Sequence, residues 1–238
     1  MNKILFFLWI TTLMLMLFGC QPASAPASQD TDNTNGTPST YDFQASYDIS
    51  SVDAFGKGHG SVYVDQDGYR TFAASILLDG TALSTAIPIN NNLTAQSPGD
   101  SVALSVAVGG LTYTGSAILP SPLSSVTYAQ NGALVPPSNG YISLTSAEAL
   151  VISWNTTSLA YTPAKVRVEI VSLGPTTTYS DEVAFASGTL TIPANTITSG
   201  QFIYVYSDNE ASNIAPTTQL DAAYTVFYVK NGTQVIME

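Results

Sequence analysis

The stretch Ser101-Val102-Ala103-Leu104-Ser105-Val106-Ala107-Val108-Gly109-Gly110-Leu111-Thr112-Tyr113-Thr114 decides the fold class. Its large apolar residues, Val102, Leu104, Val106 and Val108, alternate with Ser and Ala, a period of two that gathers them on one face of a strand. Gly109-Gly110 separates this run from a second one. Two glycines tolerate the positive φ angles of a primed turn, so the stretch reads as a β-hairpin. Outward from it the same period recurs, with strands expected at residues 43–49, 60–64 and 71–78, and turns at Asp79-Gly80 and Pro98-Gly99-Asp100. Further strands are expected at residues 151–154, 165–171, 189–192, 201–206 and 224–229, with Asn231-Gly232 as a terminal turn. In the 165–171 segment Val166, Val168 and Ile170 face one way and Lys165, Arg167 and Glu169 the other, which predicts a half-buried strand with a wet outer face.

The expected class is therefore all-β, with two β-sandwich-like modules after a signal peptide and a flexible tether. Proline cannot donate to a strand ladder. Pro120, Pro122 and Pro136-Pro137 accordingly divide the folded part into an N-terminal β module, 41–122, and a C-terminal one, 137–238. The chain is 45% hydrophobic and only 10% charged, the balance of a chain that buries a core and the opposite of a disordered one.

Leu150-Val151-Ile152-Ser153-Trp154 resembles the second strand of fibronectin type III and related immunoglobulin-like domains. Residues 188–207, with Leu190-Thr191-Ile192-Pro193-Ala194 and then Ile197 and Gly200, resemble their later strands. The resemblance spans residues 137–229 and implies a sandwich in which Trp154 packs between the sheets. The first module, through Asp79-Gly80-Thr81-Ala82-Leu83 and Pro98-Gly99-Asp100-Ser101-Val102, resembles the small β domains that decorate bacterial surface proteins. Both resemblances imply binding, spacing or assembly, and fold analogy does not choose among these.

The N-terminus carries the most specific motif. Asn2 and Lys3 precede an apolar run from Ile4 to Phe18, interrupted only by Thr11 and Thr12. Fifteen residues suit the hydrophobic region of a signal peptide and fall short of the roughly twenty needed to span a bilayer. The run ends at Leu17-Phe18-Gly19-Cys20, which resembles a bacterial lipobox. That resemblance implies a signal peptide at 1–19, cleavage between Gly19 and Cys20, diacylglycerol on the Cys20 thiol, and acylation (palmitate-type) of the new amine. A thiol is required because its thiolate is the nucleophile that forms the thioether. Gln21, in place of the aspartate associated with inner-membrane retention, implies the outer membrane of the bacterial cell envelope. The alternative is ordinary secretion: Ala25-Pro26-Ala27 offers an A-x-A site whose cleavage after Ala27 removes the cysteine and yields a soluble secreted β protein. Residues 20–40 hold Pro, Ala, Ser, Thr, Asn, Asp and Gly with no large apolar side chain before Tyr41, the composition of a disordered tether. Asp30, Asp32 and Asn33 within it lack the glycine and spacing of a calcium loop.

Supply limits the chemistry. After Lys3 is removed, Lys57, Arg70, Lys165, Arg167 and Lys230 face seventeen acids, a net charge near −12 that repels phosphate backbones, so no nucleic-acid partner is expected. The partners expected are the membrane, through lipid on Cys20, and an envelope protein or a glycan. Cys20 and His59 are each the single residue of their kind, which removes disulfides and a zinc site, and no cofactor or metal is expected. His59, in Gly56-Lys57-Gly58-His59-Gly60, reads as an exposed loop histidine before a strand, and no G-x-S-x-G elbow accompanies it. The acid pairs Asp65/Asp67, Asp181/Glu182 and Asp208/Glu210 could supply the two carboxylates of a glycosidase, but turn or loop residues surround each and they read as solvated acids. Asp65-Gln66-Asp67-Gly68 stays open as a weak calcium turn. No catalytic residues are assigned. The leading expectation is a non-enzymatic envelope protein for adhesion, assembly or ligand capture, and the alternative is a carbohydrate-binding module acting beside secreted hydrolases, since tyrosine faces stack on sugars.

Overall fold

The computed structural model describes residues 38–50, 57–87, 89–157, 159–172 and 177–237. The expected signal peptide, nearly all of the expected tether and the Gly19-Cys20 junction lie outside them. Ser39 to the C-terminal end forms one compact unit. Its described part is all-β: seventeen strands and one 3-10 turn (Phe185–Ser187). In chain order the strands of the first half are β1 (Tyr41–Ser50), β2 (Lys57–Gln66), β3 (Tyr69–Arg70), β4 (Ser75–Leu78), β5 (Thr81–Leu83), β6 (Ile89–Thr94), β7 (Ser101–Val108) and β8 (Leu111–Ile118). There follow β9 (Thr127–Gln130), β10 (Ala133–Leu134), β11 (Tyr141–Ile142), β12 (Leu150–Ser153), β13 (Lys165–Val171), β14 (Thr177–Ala184), β15 (Thr189–Ile192), β16 (Phe202–Glu210) and β17 (Val226–Met237).

The expected hairpin is β7–β8, paired from Ser101↔Ile118 to Val108↔Leu111, with Gly109 and Gly110 both at positive φ. Asp79-Gly80 likewise turns β4 into β5, both residues at positive φ.

Three sheets enclose two cores. A nine-stranded sheet runs β14-β13-β16-β17-β1-β2-β3, with β6 also on β2 and β11 also on β17; the other two sheets are β5-β4-β7-β8 and β10-β9-β12-β15. The first core gathers Phe43, Tyr47, Val62, Leu78, Leu104, Val106 and Tyr113, and the second gathers Trp154, Val166, Val168, Ile170, Leu190, Ile203 and Val205. Trp154 is 6% exposed, and its Nε1 donates to the Phe185 carbonyl at 2.9 Å. Strand β9 pairs with β12, so the second sandwich takes in residues upstream of Pro136-Pro137.

One strand serves both cores. Phe227 and Val229 of β17 belong to the first, Val235 and Met237 to the second. Between them lies a polar seam: Ser207 Oγ donates to the Asn231 carbonyl at 2.9 Å and Asn231 Nδ2 to the Pro120 carbonyl at 3.1 Å. Asn231-Gly232 is thus not the expected turn but the middle of a twelve-residue strand. Gly232 is there because the Tyr206 ring of β16 lies against it, in the space a Cβ would occupy.

Candidate functional site

The outer face of the nine-stranded sheet carries the folded part's chemistry. Alternation and register place every described cation there: Lys57 on β2, Arg70 on β3, Lys165 and Arg167 on β13, and Lys230 on β17. They share it with Asp42, Asp48, Asp65, Glu169, Glu182, Asp208 and Glu210, and with Tyr63, Tyr204, Tyr206 and Tyr228.

The middle of this face is an ion-pair ladder in which Arg167 and Glu169 are largely buried, while Lys165 keeps the wet outer face expected of it. Arg167 Nε bonds Asp208 Oδ2 at 2.8 Å, and its Nη2 meets Glu182 Oε2 at 2.6 Å as an ion-pair contact. Lys165 Nζ bonds Glu182 Oε1 at 2.6 Å and Lys230 Nζ bonds Glu169 Oε1 at 2.8 Å. Tyrosines from β16 and β17 close over these groups. Arg167 lies 4.2 Å over the Tyr228 ring, Lys230 lies 5.0 Å over Tyr206, and Tyr204 and Tyr206 stack at 5.7 Å. Asp208 is 1% exposed, with Oδ1 buried and lacking a hydrogen-bond partner. Burial raises its carboxyl above the usual range against the pull of Arg167. Asp48 is raised likewise by burial, opposed by Lys230 and His59. Glu182 goes the other way: burial works to raise it, but Lys165 and Arg167 outweigh that and hold it low.

His59 is not in a loop. It stands in β2 opposite Asp48, because Gly58 and Gly60 turn inward and leave room for Tyr47, Leu78 and Leu93. Of the acid pairs, Asp181/Glu182 and Asp208/Glu210 lie in strands β14 and β16 and not in turns, while Asp65 lies in β2 and Asp67 in the turn after it. Asp181 accepts from Tyr179, whereas Glu182 and Asp208 are committed to the ladder.

At the β1–β2 end of the same face lies an open depression of about 460 Å³ lined by Thr40, Asp42, Gln44, Asp65, Asp67, Asp221 and Tyr224. Here the Asp65/Asp67 turn meets residues from the far end of the chain. Asp65 pairs with Arg70 Nε at 3.0 Å, and Arg70 lies 4.4 Å over the Tyr63 ring. Asp67 Oδ1 accepts the Thr40 amide at 2.8 Å, and that bond holds its carboxyl below the usual range. Asp42 is raised, by burial first and then by the negative charges of Asp65 and Asp221. The loop bearing Tyr224 is fixed to β1: the Tyr41 amide donates to the Gln219 carbonyl at 2.7 Å and the Asp221 amide to the Tyr41 carbonyl at 2.8 Å. Tyr224 projects from this fixed loop 64% exposed, and Tyr69, beside the Asp67-Gly68 turn, is 74% exposed. By contrast Tyr41, Tyr47, Tyr113, Tyr128 and Tyr206 are buried.

The depression offers oxygen acceptors and a preset aromatic rim, the components of a site for a polyhydroxylated ligand. It does not offer a metal cage: among the described residues no three His, Cys, Asp or Glu side chains are placed to hold an ion. Asp65 and Asp67, the open calcium candidates, are turned to Arg70 and Thr40 instead. Asp42, Gln44, Asp221 and Tyr224 carry no sequence motif, since only the pairing of β1 with β17 brings them together. Among the described residues no helix is long and apolar enough to cross a membrane. Neither protein-family models nor the curated proteins give a match to this chain.

Proposed function

We propose that the chain is a lipid-anchored protein of the bacterial cell envelope, held through Cys20, whose folded part is a non-catalytic binding module. The observation that carries the anchor is Leu17-Phe18-Gly19-Cys20 at the end of a fifteen-residue apolar run, followed by a tether composition up to the first strand. More than one acyl chain gives stable attachment where a single chain is marginal. The folded surface has no polybasic patch to replace it, because its five cations stand among acids on one sheet face. The immunoglobulin-like reading of the second sandwich is supported by its strand order, β9-β12-β15 on one side and β14-β13-β16-β17 on the other. Membrane fractionation tests the anchor: carbonate washing should leave the wild type in the pellet, and a wild type extracted like a soluble protein contradicts it.

The second reading, glycan capture, is favoured by the exposed Tyr224 on the wall of an acid-lined depression. Carboxylates accept from sugar hydroxyls while a tyrosine face covers the C–H side of the ring. Affinity electrophoresis through polysaccharide-loaded gels checks it. Retardation by at least one neutral polysaccharide is expected, and Tyr224→Ala should weaken it by about tenfold, a ring contact of roughly 1.4 kcal/mol. A panel of polysaccharides that retards neither protein removes this reading and leaves protein partners.

A further inference from the structure

We propose that β1 is a tension clamp, carrying load from the membrane anchor into the fold in shear. This role takes the source of its load from the anchoring reading, whereas the clamp itself is a property of the folded chain.

The tether meets the fold at Ser39, and the entry point is held at once. Gln66 Nε2 donates to Ser39 Oγ at 3.1 Å, the Thr40 amide to Asp67 Oδ1 at 2.8 Å, and the Asp67 amide to the Thr40 carbonyl at 2.9 Å. Beyond it β1 is an interior strand. Its residues from Tyr41 to Asp48 pair antiparallel with β2, and those from Gln44 to Ser50 pair in parallel with β17. Tyr41, Phe43, Ala45 and Tyr47 are buried in the first core, and the Tyr47 hydroxyl both donates to the Thr94 carbonyl at 2.7 Å and accepts the Gln96 amide at 3.0 Å.

The direction of β17 sets the load path. Because it is parallel to β1, its start lies level with Gln44, inside β1 beyond the tether entry, and its end continues past Ser50↔Gly232 to Met237 in the second core. Inter-strand hydrogen bonds lie across the strands. A pull on Ser39 away from the fold, resisted at the second sandwich, therefore runs along the strand axes and strains the bonds of both ladders together. A pull across the axes opens pairs one at a time. Antiparallel β2 by itself offers only the first half of this path, since its partner residues return to Gln66 at the tether end.

The test uses the mature chain, unlipidated, with the native Cys20 thiol as one handle and a second cysteine as the other. With Ala147→Cys, in the exposed loop after β11 at the far end of β17, the pull is along the strands. With Tyr69→Cys, at an exposed position next to the tether entry, the pull peels β1 from β2. At one pulling speed the first geometry should rupture at about twofold higher force or more, forced unfolding being governed by the barrier along the pulled direction. Equal forces, or a weaker Ala147→Cys geometry, overturn the clamp. No membrane is involved, so an unlipidated Cys20 in cells would overturn the anchor and leave this result standing.

Discussion

Replacing Trp154 by alanine tests the second core at its centre. The indole is 6% exposed and packed with Val166, Val168, Ile170, Ile203 and Val205, so truncation leaves a cavity in close-packed surroundings. Large aromatic-to-alanine changes of this kind cost about 3–5 kcal/mol. The lost Nε1 bond to the Phe185 carbonyl adds about 1 kcal/mol, and not more, because that carbonyl also accepts the Gly188 amide at 3.2 Å. A loss near 5 kcal/mol is a large share of the total stability of a typical domain. With a urea slope of about 2–3 kcal/mol per molar, it moves the midpoint down by roughly 2 M. Equilibrium unfolding followed by far-ultraviolet circular dichroism measures this without needing the indole. Trp154→Phe should fall between the two, since it keeps a ring and loses the hydrogen bond. An alanine variant within about 1 kcal/mol of wild type would refute the packing argument.

In a chain beginning at Cys20, Trp154 is the only tryptophan, so its fluorescence reports the second core alone. Because β17 supplies Phe227 and Val229 to one core and Val235 and Met237 to the other, the fluorescence and circular dichroism transitions should coincide; two separated transitions would mean independent modules. Gly232→Ala should destabilise by about 1–3 kcal/mol in urea unfolding, as overpacking does, since its Cβ would meet the Tyr206 ring and, at 3.0 Å, the Val205 carbonyl. A neutral result there would mean Tyr206 swings aside freely. Thermal stability should rise as pH falls from neutrality towards the ordinary carboxylate range at about 4. Asp42, Asp48 and Asp208 have raised carboxyls in the fold, so the native state binds their protons more tightly and stability grows as pH descends through the folded values. Below about pH 4 the lowered Glu182 and Asp67 reverse the trend, and Asp48→Asn should flatten the acid-side gain seen by differential scanning fluorimetry.

Local rules made parts of this fold readable. Alternation plus a diglycine identified β7–β8 and alternation alone identified β13, whereas the burial of Trp154 was implied by the resemblance to fibronectin type III domains. Glycine misled where it answers a distant side chain: Gly58 and Gly60 make room around Tyr47, Leu78 and Leu93, and Gly232 makes room for Tyr206, so neither segment is a loop. The run Ile89-Asn90-Asn91-Asn92-Leu93-Thr94 carries no strand signal in its own composition, and forms β6 by pairing with β2. The parallel pairing of β1 with β17 joins residues at opposite ends of the folded chain, and no periodicity encodes it. For that reason only Asp65 and Asp67 of the depression stood out in the sequence, while Asp42, Gln44, Asp221 and Tyr224 did not.

Membrane attachment rests on Cys20. Cells expressing the wild type and Cys20→Ala, fed an alkyne fatty acid and probed after click coupling, give the decisive comparison. The wild type should carry the label, and its mature N-terminus should be the modified Cys20; the alanine variant should be unlabelled and persist as precursor. An unlabelled wild type beginning at Ser28 would contradict the account and establish a protein secreted by cleavage after Ala27.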